Sequence, residues 1–144
     1  VKKVFRLTNP RIAQEYNLER SNLLDEVGEG GINERNLFHG TKTLEAVVGI
    51  AKEGFDWRLN GAAHGTVHGK GSYFSEDLSY SCEHFTETDF QRPRFVFIAR
   101  VLLGYSAPAS RSDIRAPPGF HSTVANSHIY VTFHSKQAYP QYLV

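Results

Sequence analysis

The spacing of apolar residues changes several times along the chain, and each change marks an element. Val4-Phe5-Arg6-Leu7 reads as a short strand. Asn9 then Pro10 supply an N-cap and a first helical position, which predicts a helix over 10–24. Ile12, Tyr16 and Leu23 fall on its inner side. Residues 28–33 read as a loop, and Leu37-Phe38 as a short strand ending at His39. Thr43 caps a second helix whose Leu44, Val47, Val48 and Ala51 make the buried stripe, with Gly54 as its stop.

Residues 56–71 are rich in glycine and histidine and read as a loop, of a length typical of binding lids. Tyr73-Phe74-Ser75 is a brief strand, and Asp77 caps a third helix. Leu78, Cys82 and Phe85 form the apolar stripe of that helix, which leaves Ser81 and His84 on another face. Residues 95–103 are apolar apart from Arg100, as in a central strand. Residues 106–126, with Pro108, Pro117 and Pro118, read as irregular, and 129–133 as a β-branched and aromatic strand. Short strands mixed with three helices, without regular βαβ spacing, predict an α+β fold.

At 144 residues the chain is expected to be one domain, 1–144. A net charge of +1 provides no strong grip on a polyanion, so nucleic acid is not indicated as a partner. Cys82 is the only cysteine, which excludes a disulfide framework within the chain and fits an intracellular, nuclear or cytoplasmic, setting. No apolar run approaches the roughly 18 residues of a membrane span, so no membrane partner is expected. The abrupt ends, without a signal-peptide pattern, suggest a domain excised from a longer protein.

Two motifs carry the chemistry. Phe38-His39-Gly40-Thr41 sets a histidine and a glycine at the end of an apolar run. Gly69-Lys70-Gly71-Ser72-Tyr73-Phe74-Ser75 places an aromatic after a tight glycine turn, with the Ser81 hydroxyl eight residues beyond Tyr73. Together they offer a contact for a sugar hydroxyl, exposed backbone amides and a flat stacking surface. Those parts suit a pyridine carboxamide joined to ribose, the reactive end of NAD. His64 and His68 are four apart, but the surrounding glycines argue for a loop and no further ligands stand nearby, so no metal is expected. Gly69-Lys70-Gly71 lacks the full phosphate-loop pattern, which excludes a nucleotide triphosphatase. Lys70 reads as a solvated charge and Cys82 as a small hydrophobe.

In order and spacing these segments resemble the catalytic domain of the poly(ADP-ribose) polymerase superfamily, in its mono-ADP-ribosyltransferase branch. The resemblance runs from Arg6-Leu7-Thr8-Asn9-Pro10 through both motifs to Tyr130-Val131-Thr132-Phe133 and Gln137-Ala138-Tyr139-Pro140-Gln141-Tyr142-Leu143. Phe55-Asp56-Trp57-Arg58 and His64-Gly65-Thr66 are similar to the loop over the NAD site in members that carry CCCH zinc fingers or WWE domains. The resemblance implies an ADP-ribosyltransferase fold, a split antiparallel sheet with flanking helices, and no regulatory helical domain. It implies NAD+ as substrate and a catalytic trio of His39, Tyr73 and Ile129. His39 would bond the 2′-hydroxyl of the nicotinamide ribose, Gly40 and Ser81 the carboxamide, and Tyr73 would stack on the ring. Thr41 and Asp56 would lie toward the adenosine. His84, or alternatively Phe85, would form the second wall of the ring.

Ile129 stands where polymer-forming members carry glutamate. Isoleucine has no lone pair with which to accept a proton, so a single ADP-ribose is expected to pass to a protein acceptor, without elongation. Phe120-His121-Ser122-Thr123-Val124 departs from the tyrosine and aspartate frequent in relatives. Two alternatives are a silent module that holds NAD or ADP-ribose, and transfer to nucleic-acid ends.

Overall fold

In the computed structural model the described residues are 3–56, 58, 67–85 and 94–144, with backbone alone for 83–85. Among these residues eight strands make one sheet: β1 (Phe5–Arg6), β2 (Glu34–Thr41), β3 (Ser72–Ser75), β4 (Phe95–Leu102), β5 (Ser106–Pro108), β6 (Ser122–Ala125), β7 (Ile129–Thr132) and β8 (Ala138–Leu143). Among the described residues three α-helices accompany them: α1 (Pro10–Ile32), α2 (Leu44–Glu53) and α3 (Leu78–Phe85). The strand order is β1-β8-β4-β2-β3-β7-β6-β5, antiparallel except for β5 beside β6.

The sheet is nearly parted in the middle. β2 runs beside β4 over its whole length, from Glu34 opposite Leu102 to Thr41 opposite Phe95. It meets β3 at one residue pair only, Phe38 opposite Ser75. The expected split sheet is therefore two half-sheets joined at one point.

The caps explain where the helices lie. The Asn9 side chain accepts from the Ile12 N–H at 3.3 Å, and its Nδ2 donates to the carbonyls of Ala51 (3.0 Å) and Lys52 (3.1 Å). One residue thus starts α1 and closes the end of α2. α1 runs well past the expected end at Leu24, and the predicted 28–33 loop is absorbed into it with a break at Gly28 (φ 71). Thr43 caps α2 by accepting from Ala46 N–H at 3.1 Å, and Gly54 (φ 81) ends it. Its buried residues are Val47 and Ile50, whereas Leu44 and Val48, expected in the stripe, are 63% and 43% exposed. The buried stripe lies one step away from the expected one, because the helix turns the face holding Ile50, not Val48, to the sheet.

The main core packs α2 and Phe55 on the sheet face that holds Leu37, Phe74, Phe97, Ala99, Val101 and Tyr130. Tyr16, Leu23, Ile32 and Leu102 form a second cluster under α1. Glu34, at the start of β2, ties the two. Its carboxylate accepts from Tyr16 Oη (2.6 Å), Arg20 Nε (3.1 Å) and Arg100 Nη2 (3.1 Å). Burial alone would raise its carboxyl, but these donors hold it below the usual carboxylate range, while burial and the Glu34 charge push the Tyr16 phenol up.

The stretch 106–126 is not wholly irregular, because it holds β5 and β6. β6 and β7 form a hairpin through Asn126 (φ 51) and Ser127 (φ 61), closed by His128 N–H donating to the Ala125 carbonyl at 3.3 Å. The register, Ala125 opposite Ile129, leaves the three residues 126–128 in the connection, and positive φ at the first two turns the chain in the sense that suits strand twist.

Candidate active site

The opening between the half-sheets begins immediately past the Phe38–Ser75 pair. There β2 continues as His39-Gly40-Thr41 without a β3 partner. His39 bridges the gap with its side chain, as Nδ1 lies 2.7 Å from the Tyr73 carbonyl oxygen. A carbonyl can only accept, so Nδ1 carries the hydrogen and Nε2 is left with a lone pair. The ring rests edge-on against Phe55 (5.0 Å, 70°) and tilted against Phe74 (5.4 Å). Phe55 in turn meets Phe74 and Phe97 at 5.0 and 5.7 Å. This aromatic cradle desolvates the imidazole and pushes its pKa down to about 4, against the smaller opposing effect of the Tyr73 bond. His39 is therefore neutral at pH 7, with a defined tautomer. Phe55 is a support for His39 that no motif announces; its signal in the sequence is a large aromatic directly after the helix-ending Gly54.

Gly40 and Thr41 are buried beside His39. The Ser81 hydroxyl donates to the Phe38 carbonyl at a long 3.5 Å, so it sits on the edge of β2 that faces the opening. Backbone groups two residues apart on a strand face the same edge. Gly40 therefore turns its N–H and C=O toward the side where Ser81 lies. Ser81 is fully buried while Leu78 is 36% exposed and Cys82 half-buried, which corrects the predicted stripe of α3. A small hydroxyl, not a bulky apolar group, lets this helix approach β2. The Asp77 cap holds, with Ser79 N–H donating to Oδ1 at 2.8 Å.

Tyr73 and Ile129 lie on the two strands beyond the gap. Ser75 faces Ile129 and Tyr73 faces Val131, so Tyr73 and Ile129 are diagonal neighbours on one sheet face. Ile129 is wholly buried and Tyr73 is 7% exposed. The Tyr73 hydroxyl donates to the Gly69 carbonyl (2.6 Å) and accepts from His68 N–H (2.9 Å), so the glycine turn grips the phenol. Burial raises the phenol's pKa. Arg35 on β2 donates to both Glu76, just after β3, and the Tyr130 hydroxyl on β7 (3.0 Å). That clamp crosses all three strands that carry His39, Tyr73 and Ile129.

Asp56 follows Phe55 and is committed locally. Its carboxylate accepts from Arg58 Nε (3.0 Å), Arg58 Nη2 (2.8 Å) and Arg58 N–H (3.0 Å), bonds that lower its pKa. The side chains of His84 and Phe85, and residues Trp57, His64, Gly65 and Thr66, lie outside the described residues. Among the described residues no group of three or more His, Cys, Asp or Glu could hold a metal, and no helix is long and apolar enough to cross a membrane.

A split sheet with a neutral histidine across its seam is the expected ADP-ribosyltransferase fold. The family profile described as the poly(ADP-ribose) polymerase catalytic domain matches residues 1–127. Protein mono-ADP-ribosyltransferase PARP12 of Homo sapiens is 35% identical over 154 residues, covering all of this chain and 21% of the relative. Protein mono-ADP-ribosyltransferase PARP11 of Mus musculus is 32% identical over 173 residues, covering all of this chain and 51% of the relative. The chain belongs to the poly(ADP-ribose) polymerase catalytic-domain family. It spans about a fifth to a half of the length of these two relatives.

Proposed function

We propose that this chain is an NAD+ ADP-ribosyltransferase that moves one ADP-ribose to a protein acceptor, releases nicotinamide and adds no second unit. The observation that carries this reading is the pairing of a neutral His39, its Nε2 without a partner among the described residues, with a buried Ile129 at the third position. His39 Nε2 accepts the 2′-hydroxyl of the nicotinamide ribose. The Gly40 N–H and C=O and the Ser81 hydroxyl satisfy the carboxamide. Tyr73 stacks on the pyridinium, with His84 or Phe85 as the opposite wall and Thr41 toward the adenosine ribose. Asp56, held by Arg58, keeps a free lone pair on Oδ2 for a hydroxyl of the adenosine ribose.

Chemically, the bond between ribose C1′ and the pyridinium nitrogen breaks, and its electron pair leaves with neutral nicotinamide. The ribose becomes oxocarbenium-like, and held geometry does most of the catalytic work. An acceptor carboxylate forms the new C–O bond with its own electrons and has no proton to lose. A hydroxyl on an attached ADP-ribose does need a base, and isoleucine is none. The expected charge state of the acceptor thus follows from Ile129.

The test is incubation with labelled NAD+ and separation by gel. Discrete labelled bands that disappear in His39→Ala support the reading. A folded chain that labels no acceptor and releases no nicotinamide overturns it in favour of a silent NAD-binding module. Label on RNA ends and none on protein would replace the acceptor class.

A further inference from the structure

We propose that the rim formed by the Gly69-Lys70 turn and the 109–115 loop is the docking surface for an acidic segment of the acceptor protein. This rests on the transfer reading above and names the surface that would select the substrate.

Charge is distributed unevenly along the chain. Residues 90–144 contain six Arg and Lys against a single acid, Asp113. That acid is half-buried and engaged within its own loop, where its Oδ2 accepts from the Ser110 N–H at 2.7 Å. Its carbonyl accepts from Lys70 N–H at 2.8 Å, which ties the loop to the glycine turn. The fit at this junction is tight. Gly69 has φ +99, and a Cβ there would lie 2.8 Å from the Asp113 carbonyl oxygen. The same Gly69 accepts from the Tyr73 hydroxyl, so the rim borders the site directly.

Lys70, Arg111 and Arg115 are exposed on this rim, and among the described residues none has an ion-pair partner. Arg20, Arg35, Arg58 and Arg100 are all paired elsewhere. Between the two rim arginines Ile114 is 65% exposed, an apolar contact inside a cationic frame. Since Ile129 removes a base, the acceptor has to arrive ionised. Unpaired cations beside the cleft concentrate carboxylates and favour their charged form. An acidic peptide fits this chemistry.

The test compares this chain with Arg111→Glu/Arg115→Glu, leaving Lys70 and the Tyr73 clamp intact. Two peptide probes each hold one glutamate, flanked in one by cysteic acids, whose sulfonates carry charge, and in the other by asparagines. Exposed charge pairs give a few-fold each, so kcat/KM for the acidic probe is expected to fall about tenfold. The asparagine probe and the release of nicotinamide to water should be unchanged. Fluorescence anisotropy of the labelled acidic probe without NAD+ should show the same loss of binding, and this arm stands even if no transfer occurs. Equal losses on both probes, or no loss on the acidic one, overturn the proposal. So does a loss confined to a 5′-phosphorylated RNA probe, which would assign the rim to nucleic acid.

Discussion

Lowering the pH tests whether His39 sits in the structure as the neutral Nδ1–H tautomer. Its pKa is pushed from 6.5 to about 4, mainly by burial. At pH 5.5 an ordinary histidine is about 90% protonated, whereas a group at 4 is about 3% protonated. NAD turnover should therefore show no histidine-dependent loss between pH 8 and about pH 5. The sign for stability follows from proton binding. Between pH 6.5 and 4 the unfolded chain binds a proton that the folded chain refuses, so stability falls as pH falls through that window. Relative to pH 7.5, the loss at pH 4.5 is about 2.5 kcal/mol. The assay is urea unfolding at both pH values for this chain and for His39→Gln, whose amide keeps a donor for the Tyr73 carbonyl but does not titrate. The variant should lose about 2.5 kcal/mol less on acidification. Ring nitrogen shifts of His39 should move near pH 4. A midpoint near 6.5, or identical acid losses in both proteins, would refute the packing argument.

Other changes have equally definite outcomes. Gly71→Ala puts a Cβ 2.5 Å from Val131 Cγ1 and 2.6 Å from the Thr132 carbonyl, so overpacking should cost about 1–3 kcal/mol in denaturant unfolding and slow NAD turnover. Tyr73→Phe removes the phenol gripped by His68 and Gly69. KM for NAD+ should rise several-fold with about 1–3 kcal/mol lost on unfolding, and an unchanged KM would show that the turn is positioned without it. Glu34→Gln leaves the Tyr16, Arg20 and Arg100 donors with a weaker acceptor. It should destabilise the fold by about 1–3 kcal/mol while leaving acceptor choice unchanged, as measured by unfolding and by peptide transfer.

Much of the frame was legible because its signals are local. Asn9-Pro10, Thr43, Gly54 and Asp77 act on neighbours within a few residues, and the helix starts and the end of α2 fall where they indicate. What stayed hidden depends on distant partners. β5 and β6 are three- and four-residue strands rich in serine, threonine and proline, and pairing with each other makes them strands. Taken alone Ser81 reads as an ordinary helix serine, and its full burial shows only once β2 is placed against it. The pairs His39–Tyr73 and Tyr73–Gly69 run to backbone carbonyls, which no side-chain motif announces. Proximity of His39 and Tyr73 was legible from the two motifs, while the tautomer and the depressed pKa emerge only from the Phe55 and Phe74 cradle.

Transfer of a single ADP-ribose is tested most directly by analysis of the attached product. Acceptor labelled by this chain is digested with a pyrophosphatase, which frees AMP from single or terminal ADP-ribose and phosphoribosyl-AMP from units inside a chain. AMP alone is the predicted result. Phosphoribosyl-AMP from the protein with Ile129 in place would contradict the account, because elongation would then proceed without the base that this position lacks.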